Sequence, residues 1–170
     1  MAIPKNEYAT FYETYVSKAQ LLDNGLIENL QSSLVKFFEV LSDLPEEKHL
    51  FAYADGKWTI KELISHMIET ERIMAYRALR ISRNDKINLA SFDENDFVAN
   101  SNANEVPYIE LIKEFSLLRK STIAMFKSFN DEMLTKIGVA SDSEVSVRAL
   151  GYILTGHVLH HIGVIEERYL

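Results

Sequence analysis

The chain has no cysteine. That absence excludes disulfides, thiolate zinc sites, iron–sulfur ligation and a cysteine nucleophile together. Any metal bound by this sequence must use histidine, carboxylate or water. An excess of basic charge is also missing: 18 Lys and Arg face 25 Asp and Glu, for a formal net charge of −7. No basic run is present, so the dense positive surface that phosphate backbones require is absent, and no nucleic-acid partner is expected. Nowhere does an uncharged apolar stretch approach 18 residues, so no transmembrane helix and no membrane partner are expected. The start, Met1-Ala2-Ile3-Pro4-Lys5-Asn6-Glu7, has no apolar core of signal-peptide length, which makes the cytoplasm the expected location. Strand-type alternation never persists, and no internal repeat or low-complexity tract is visible.

What is present is helical periodicity. The 170 residues, 47% hydrophobic, suit one globular domain with a real core. Four segments repeat apolar residues at three- and four-residue steps. The first runs from about Leu26 to Leu41 and is closed by Pro45. The second follows Thr59, with Glu62 three residues on as a capping box and Trp58 and Leu63 placed as a hydrophobic staple. It should stop near Arg83, at Asn84-Asp85. The third begins near Pro107, suited to a first helical turn, and reaches about Phe129. The fourth begins near Ser146 and runs almost to Leu170. Residues 1–24, with Tyr8, Phe11, Tyr12 and Tyr15, read as an extension packed on the domain, either a short helix or an aromatic strap. The link over residues 84–106 is long enough to be functional or to hold short helices. It lets helices two and three run parallel, so the expected fold is an all-α, up-down-down-up four-helix bundle in a single domain over 1–170.

The local cluster Gly156-His157-Val158-Leu159-His160-His161 carries the chemistry. His157 and His161 are four apart and share one helix face with Leu150, Leu154, Val164 and Arg168. Two imidazoles on a face that a helix buries need partners for their nitrogens. A divalent metal is one partner, since His-x3-His is an established ligand pair; a core tyrosine, carboxylate or carbonyl is the other. His49 and His66 are the candidates for a third ligand. His66 sits toward the flank of its helix's apolar stripe, yet in an antiparallel pair it lies level with His161, each about 10 Å from a helix end.

Trp58-Thr59-Ile60-Lys61-Glu62, His66-Met67-Ile68-Glu69-Thr70-Glu71-Arg72 and the final histidine cluster resemble the DinB/YfiT-like family. The similarity extends through Phe92-Asp93-Glu94-Asn95 and Glu144-Val145-Ser146-Val147-Arg148-Ala149-Leu150 to Glu167-Arg168-Tyr169-Leu170. It covers about residues 25–170. The resemblance implies a four-helix bundle, often a homodimer, with His66, His157 and His161 holding zinc, nickel or a similar divalent ion and His160 outside the set. It also implies a small-molecule substrate and a low-molecular-weight thiol, hence a metal-dependent thiol S-transferase. A metal-dependent hydrolase and a non-catalytic stress-response bundle with a structural ion are the alternatives. No residue stands out as a general base.

Two charges fall within apolar stripes: Glu71 on the second helix and Arg119 on the third. Each lies equally far from its expected helix start, so in parallel helices they are level and are expected to pair. The other reading is that both side chains snorkel to water.

Overall fold

The computed structural model describes residues 3–170; Met1 and Ala2, which begin both the expected 1–170 domain and the segment read as lacking a leader, lie outside the described residues. Two 3-10 turns, Lys5–Glu7 and Thr10–Tyr12, lead into α1 (Glu13–Gln20). Then follow α2 (Leu26–Leu41), α3 (Glu46–His49), α4 (Ile60–Ser82) and α5 (Glu94–Asn100). After a 3-10 turn at Ala103–Glu105 come α6 (Tyr108–Lys127) and α7 (Asp131–Thr135). A hairpin of β1 (Ile137–Ala140) and β2 (Ser143–Ser146) leads directly into α8 (Val147–Arg168).

The four long helices α2, α4, α6 and α8 occupy the four segments read from periodicity. Their ends are set by local chemistry. Thr59 and Glu62 form a full reciprocal capping box at the start of α4. Asn84, just past its end, takes the left-handed conformation at φ 67°, a helix stop that asparagine tolerates. The Ser146 side chain caps α8 by accepting from the Ala149 amide.

Three bonds at one end of the bundle fix its topology. The Tyr108 hydroxyl at the start of α6 donates to the Leu41 carbonyl at the end of α2, at 2.6 Å. At the end of α8 the Tyr169 hydroxyl donates to the Trp58 carbonyl just before α4, at 2.7 Å. Lys61 in the first turn of α4 reaches the Asn104 carbonyl just before α6, at 2.6 Å. Thus α4 and α6 begin where α2 and α8 end, which is the up-down-down-up order expected from the long crossover.

The sequence reading contained no strand, and here it is corrected. β1 and β2 pair antiparallel, Ile137 opposite Ser146 and Ala140 opposite Ser143, around a two-residue turn. Ser141 and Asp142 both have positive φ, 52° and 58°, the geometry hairpins favour, built without the usual glycine. Four-residue strands are too short to show alternation. The crossover is clipped to this hairpin, because the Leu89 amide donates to Val139 and the Ser141 amide to Leu89, both at 2.9 Å.

The apolar core forms two clusters, one centred on Leu30, Met74, Phe126 and Ile153, the other on Phe37, Met67, Phe115 and Ile162. Between them lies a polar level on which the Arg119 guanidinium grips both oxygens of Glu71 at 2.8 and 2.7 Å. Arg119 also donates to Ser33 Oγ at 2.5 Å and to the Leu30 and Leu154 carbonyls. The expected ion pair therefore exists, fully buried, and its arginine touches all four long helices.

Helix α8 is buried on nearly every side from Ala149 to Val158, because α1 covers the side that the bundle leaves open. The two backbones meet at Gly156, where a Cβ would fall 1.8 Å from the Tyr15 carbonyl oxygen. Only glycine permits that approach.

Candidate metal centre

His66 projects from the second turn of α4, and His157 and His161 from successive turns of the antiparallel α8. The helix register makes them level, as the axial heights suggested. His157 Nε2 lies 2.9 Å from His66 Nε2 and 3.1 Å from His161 Nε2. One ligand atom from each residue falls within 4.8 Å of the others. The side chains are 6%, 4% and 9% exposed. The Trp58 ring covers His66 at 4.9 Å, and the Tyr15 ring meets His157 edge-on at 5.3 Å.

Burial decides their charge. It pulls His66 down to about 4. It also holds His157 well below its ordinary value, helped by neighbouring His161, His66, His160 and Arg119. His161 is lowered likewise, by burial and then by His66 and His160. All three rings are therefore neutral near pH 7, each with one nitrogen lone pair. Whichever tautomer His157 takes, the one proton or one lone pair on its Nε2 cannot make two good hydrogen bonds to the two neighbouring rings, so the protein alone leaves this triad poorly satisfied. A divalent ion accepts all three lone pairs, and the donor set fits one. His66 Nδ1 is buried without a hydrogen-bond partner among the described residues, so none of them fixes that ring's tautomer from behind, a support that most metal-binding histidines have.

The other histidines stand apart. His49 stacks on Tyr108 with centroids 3.7 Å apart, and its Nε2 lies 3.0 Å from the Leu44 carbonyl. His160 is half-buried against the Tyr15 ring. The His triad opens onto a cavity of about 460 Å³ whose walls include Tyr12, Tyr15, Thr70, Arg77 and Phe92. Phe92, Ser91 and Glu94 come from the crossover, which therefore forms part of the cleft wall. A somewhat larger groove, about 550 Å³, runs along the outer side of α4 but touches none of the three histidines. Of the two, only the smaller is lined by the three histidines.

The sequence reading did not single out Thr70 or Arg77. Their signal was angular: on an ideal helix both fall on nearly the same face as His66, a polar line along a buried side of α4.

The family profile of the DinB superfamily matches residues 29–165, most of the chain. The chain belongs to the DinB superfamily. Among solved structures, this DinB-superfamily chain is similar to YfiT from Bacillus subtilis, with a TM-score of 0.77 at 13% identity, over 97% of this chain and 90% of that one. YfiT is described as a probable metal-dependent hydrolase with an unusual four-helix bundle topology. The chain is also similar to a mycothiol-dependent maleylpyruvate isomerase, with a TM-score of 0.68 at 12% identity over 84% of this chain. It spans 61% of the isomerase chain. At such identities the likeness is one of fold. No curated protein matches the sequence.

Proposed function

We propose that His66, His157 and His161 hold a divalent metal ion, zinc or nickel, and that the protein is a thiol-dependent S-transferase. The observation that carries this reading is the convergence of three neutral, buried imidazoles on one wall of an open cavity. Structural zinc sites are usually closed by four protein ligands, whereas three ligands beside a cavity leave a position for another molecule. That opening weighs against a purely structural ion. When bound, the ion supplies Lewis acidity that lowers the pKa of a thiol or a water molecule.

The chain's own residues do the rest. The histidines bind the ion, and Trp58 and Tyr15 shield their rings from bulk water. The protein has no cysteine, so the sulfur comes from a low-molecular-weight thiol. In the transfer a carbon–sulfur bond forms, the electrophile's leaving group departs with its electron pair, and the thiol proton passes to solvent. The mycothiol dependence of the similar isomerase supports a thiol. The description of YfiT supports a second reading, metal-dependent hydrolysis, in which water replaces the thiol. Either reaction suits the homodimer that the family resemblance implies and the cytoplasm expected from the sequence.

Elemental analysis of tag-free protein tests the site. About one equivalent of divalent ion is expected in the parent, and none in His66→Ala, His157→Ala or His161→Ala. A parent that retains no ion after incubation with zinc, nickel or manganese removes the reading. Conjugation of low-molecular-weight thiols to a chromogenic aryl halide then separates the two reactions. Metal-dependent conjugation is expected; ester hydrolysis without it selects the hydrolase.

A further inference from the structure

The protein buries two arginines almost completely. Arg119 is neutralised by Glu71 through two hydrogen bonds. Arg77 is 2% exposed, yet it takes part in none of the ion pairs among the described residues. Its Nη2 donates to the Ala90 carbonyl at 2.6 Å and to Ser141 Oγ at 3.0 Å; its Nη1 lies 3.6 Å from Met74 Sδ, and the Tyr12 hydroxyl is a further partner. Every one of these partners is neutral. An interior cation held only by dipoles is costly unless an anion completes it. Arg77 forms part of the same cavity wall as the three histidines, so an anion from solution can do so.

A second observation points the same way. Thr70, 4% exposed, also lines the cavity, and its Oγ1 is buried without a hydrogen-bond partner among the described residues. One turn of α4 separates it from His66. The line His66, Thr70, Arg77 therefore presents along one wall a metal-ligand nitrogen, a hydroxyl and a guanidinium that makes no ion pair among the described residues, with the Glu94 carboxylate on the crossover side of the same cavity.

We propose that the cleft binds an elongated small molecule whose anionic oxygen group, a carboxylate or a phosphate ester, pairs with Arg77 while its reacting end lies against the three histidines. The Thr70 hydroxyl hydrogen-bonds the molecule in between. The helical rise from His66 to Arg77 puts the two recognition points roughly 10–16 Å apart, given that side chains lean toward the helix start. The reacting end rests on the metal reading above; the Arg77 end does not depend on which group the metal activates.

Hydroxamates test this, because they chelate an open divalent ion whether it serves a thiol or water. A series of alkyl hydroxamates of graded length, ending in a carboxylate, a phosphonate or a primary amide, is titrated calorimetrically into zinc-loaded full-length protein. At the matching length a charged end should bind at least about tenfold tighter than the amide, as a charge-assisted bond does. The better of the carboxylate and phosphonate ends identifies the natural group. The preference should vanish in Arg77→Gln and persist in Arg77→Lys, while amide-ended probes bind all three proteins alike. If Arg77→Gln does not fold, the preference in the parent and its persistence in Arg77→Lys decide. Equal affinity for charged and neutral ends at every length in the parent overturns the proposal, as does a preference that survives Arg77→Gln. Failure of every probe, amide-ended ones included, removes the metal reading and the subsite with it. Binding of hydroxamates with no binding of thiols removes only the S-transferase.

Discussion

Single residues set the site's precision. Gly156 precedes His157 and lets the α1 backbone lie against α8, which is what brings the Tyr15 ring to the His157 edge. Gly156→Ala is expected to lower stability by about 1–3 kcal/mol, the usual cost of forcing atoms into a filled space. It should also weaken metal binding, because α1 and Tyr15 must retreat. Gly163, on the same helix, meets nothing within 4 Å, so Gly163→Ala is the control. It should be neutral or stabilising by up to about 1 kcal/mol, since alanine favours the helix. Urea titration with a metal-affinity measurement on both variants checks this. The histidines were legible at this scale, because spacing on a helix is a property of the sequence. The glycine was not: the atoms its missing Cβ avoids belong to Tyr15, distant in the chain and brought there only by the final packing.

At the scale of elements, helices declared themselves and the hairpin did not. Each long helix carries its own periodicity, and two carry clear caps, as Thr59 with Glu62 and Ser146 show. The hairpin's strands hold four residues each and its turn is Ser-Asp, so neither alternation nor a glycine signalled it. The Glu71–Arg119 pair could be anticipated from helix phase, but the bonds from Arg119 to α2 and α8 could not. Those bonds use a serine hydroxyl and two carbonyls, groups with no sequence signature. Glu71→Gln should cost about 3–5 kcal/mol, because it leaves a buried guanidinium without its counter-charge. A Glu71→Leu, Arg119→Met double variant should lose less than the single one, since it leaves no buried charge. Chemical denaturation of both variants distinguishes a pair that matters for its charge balance from one that merely fills space.

For the whole molecule, the up-down-down-up order followed from a long crossover and the N-terminal aromatics announced a packed extension, while the place where that extension attaches did not follow from any pattern. That attachment centres on Glu7, which accepts from Ser146 Oγ and from Arg148 Nε, both at 2.7 Å, at the start of α8. The Arg148 hydrogen bond, more than any other influence, holds the Glu7 carboxyl below its ordinary 4.5. A lowered carboxylate stabilises the fold above its unfolded value, and the gain is lost as pH falls through the folded one. Parent and Glu7→Gln should therefore differ most in melting temperature near neutral pH and converge below 4.5. Thermal melts across that range check it. His66 and His157 stand 91 residues apart in sequence, and this separation has its own consequence. A chain still lacking α8, whether half-synthesised or cleaved, owns at most one of the three imidazoles. Any ion held by the triad therefore marks a chain in which α8 already lies against α4, and the cell's supply of that ion acts only on chains that have reached this packing.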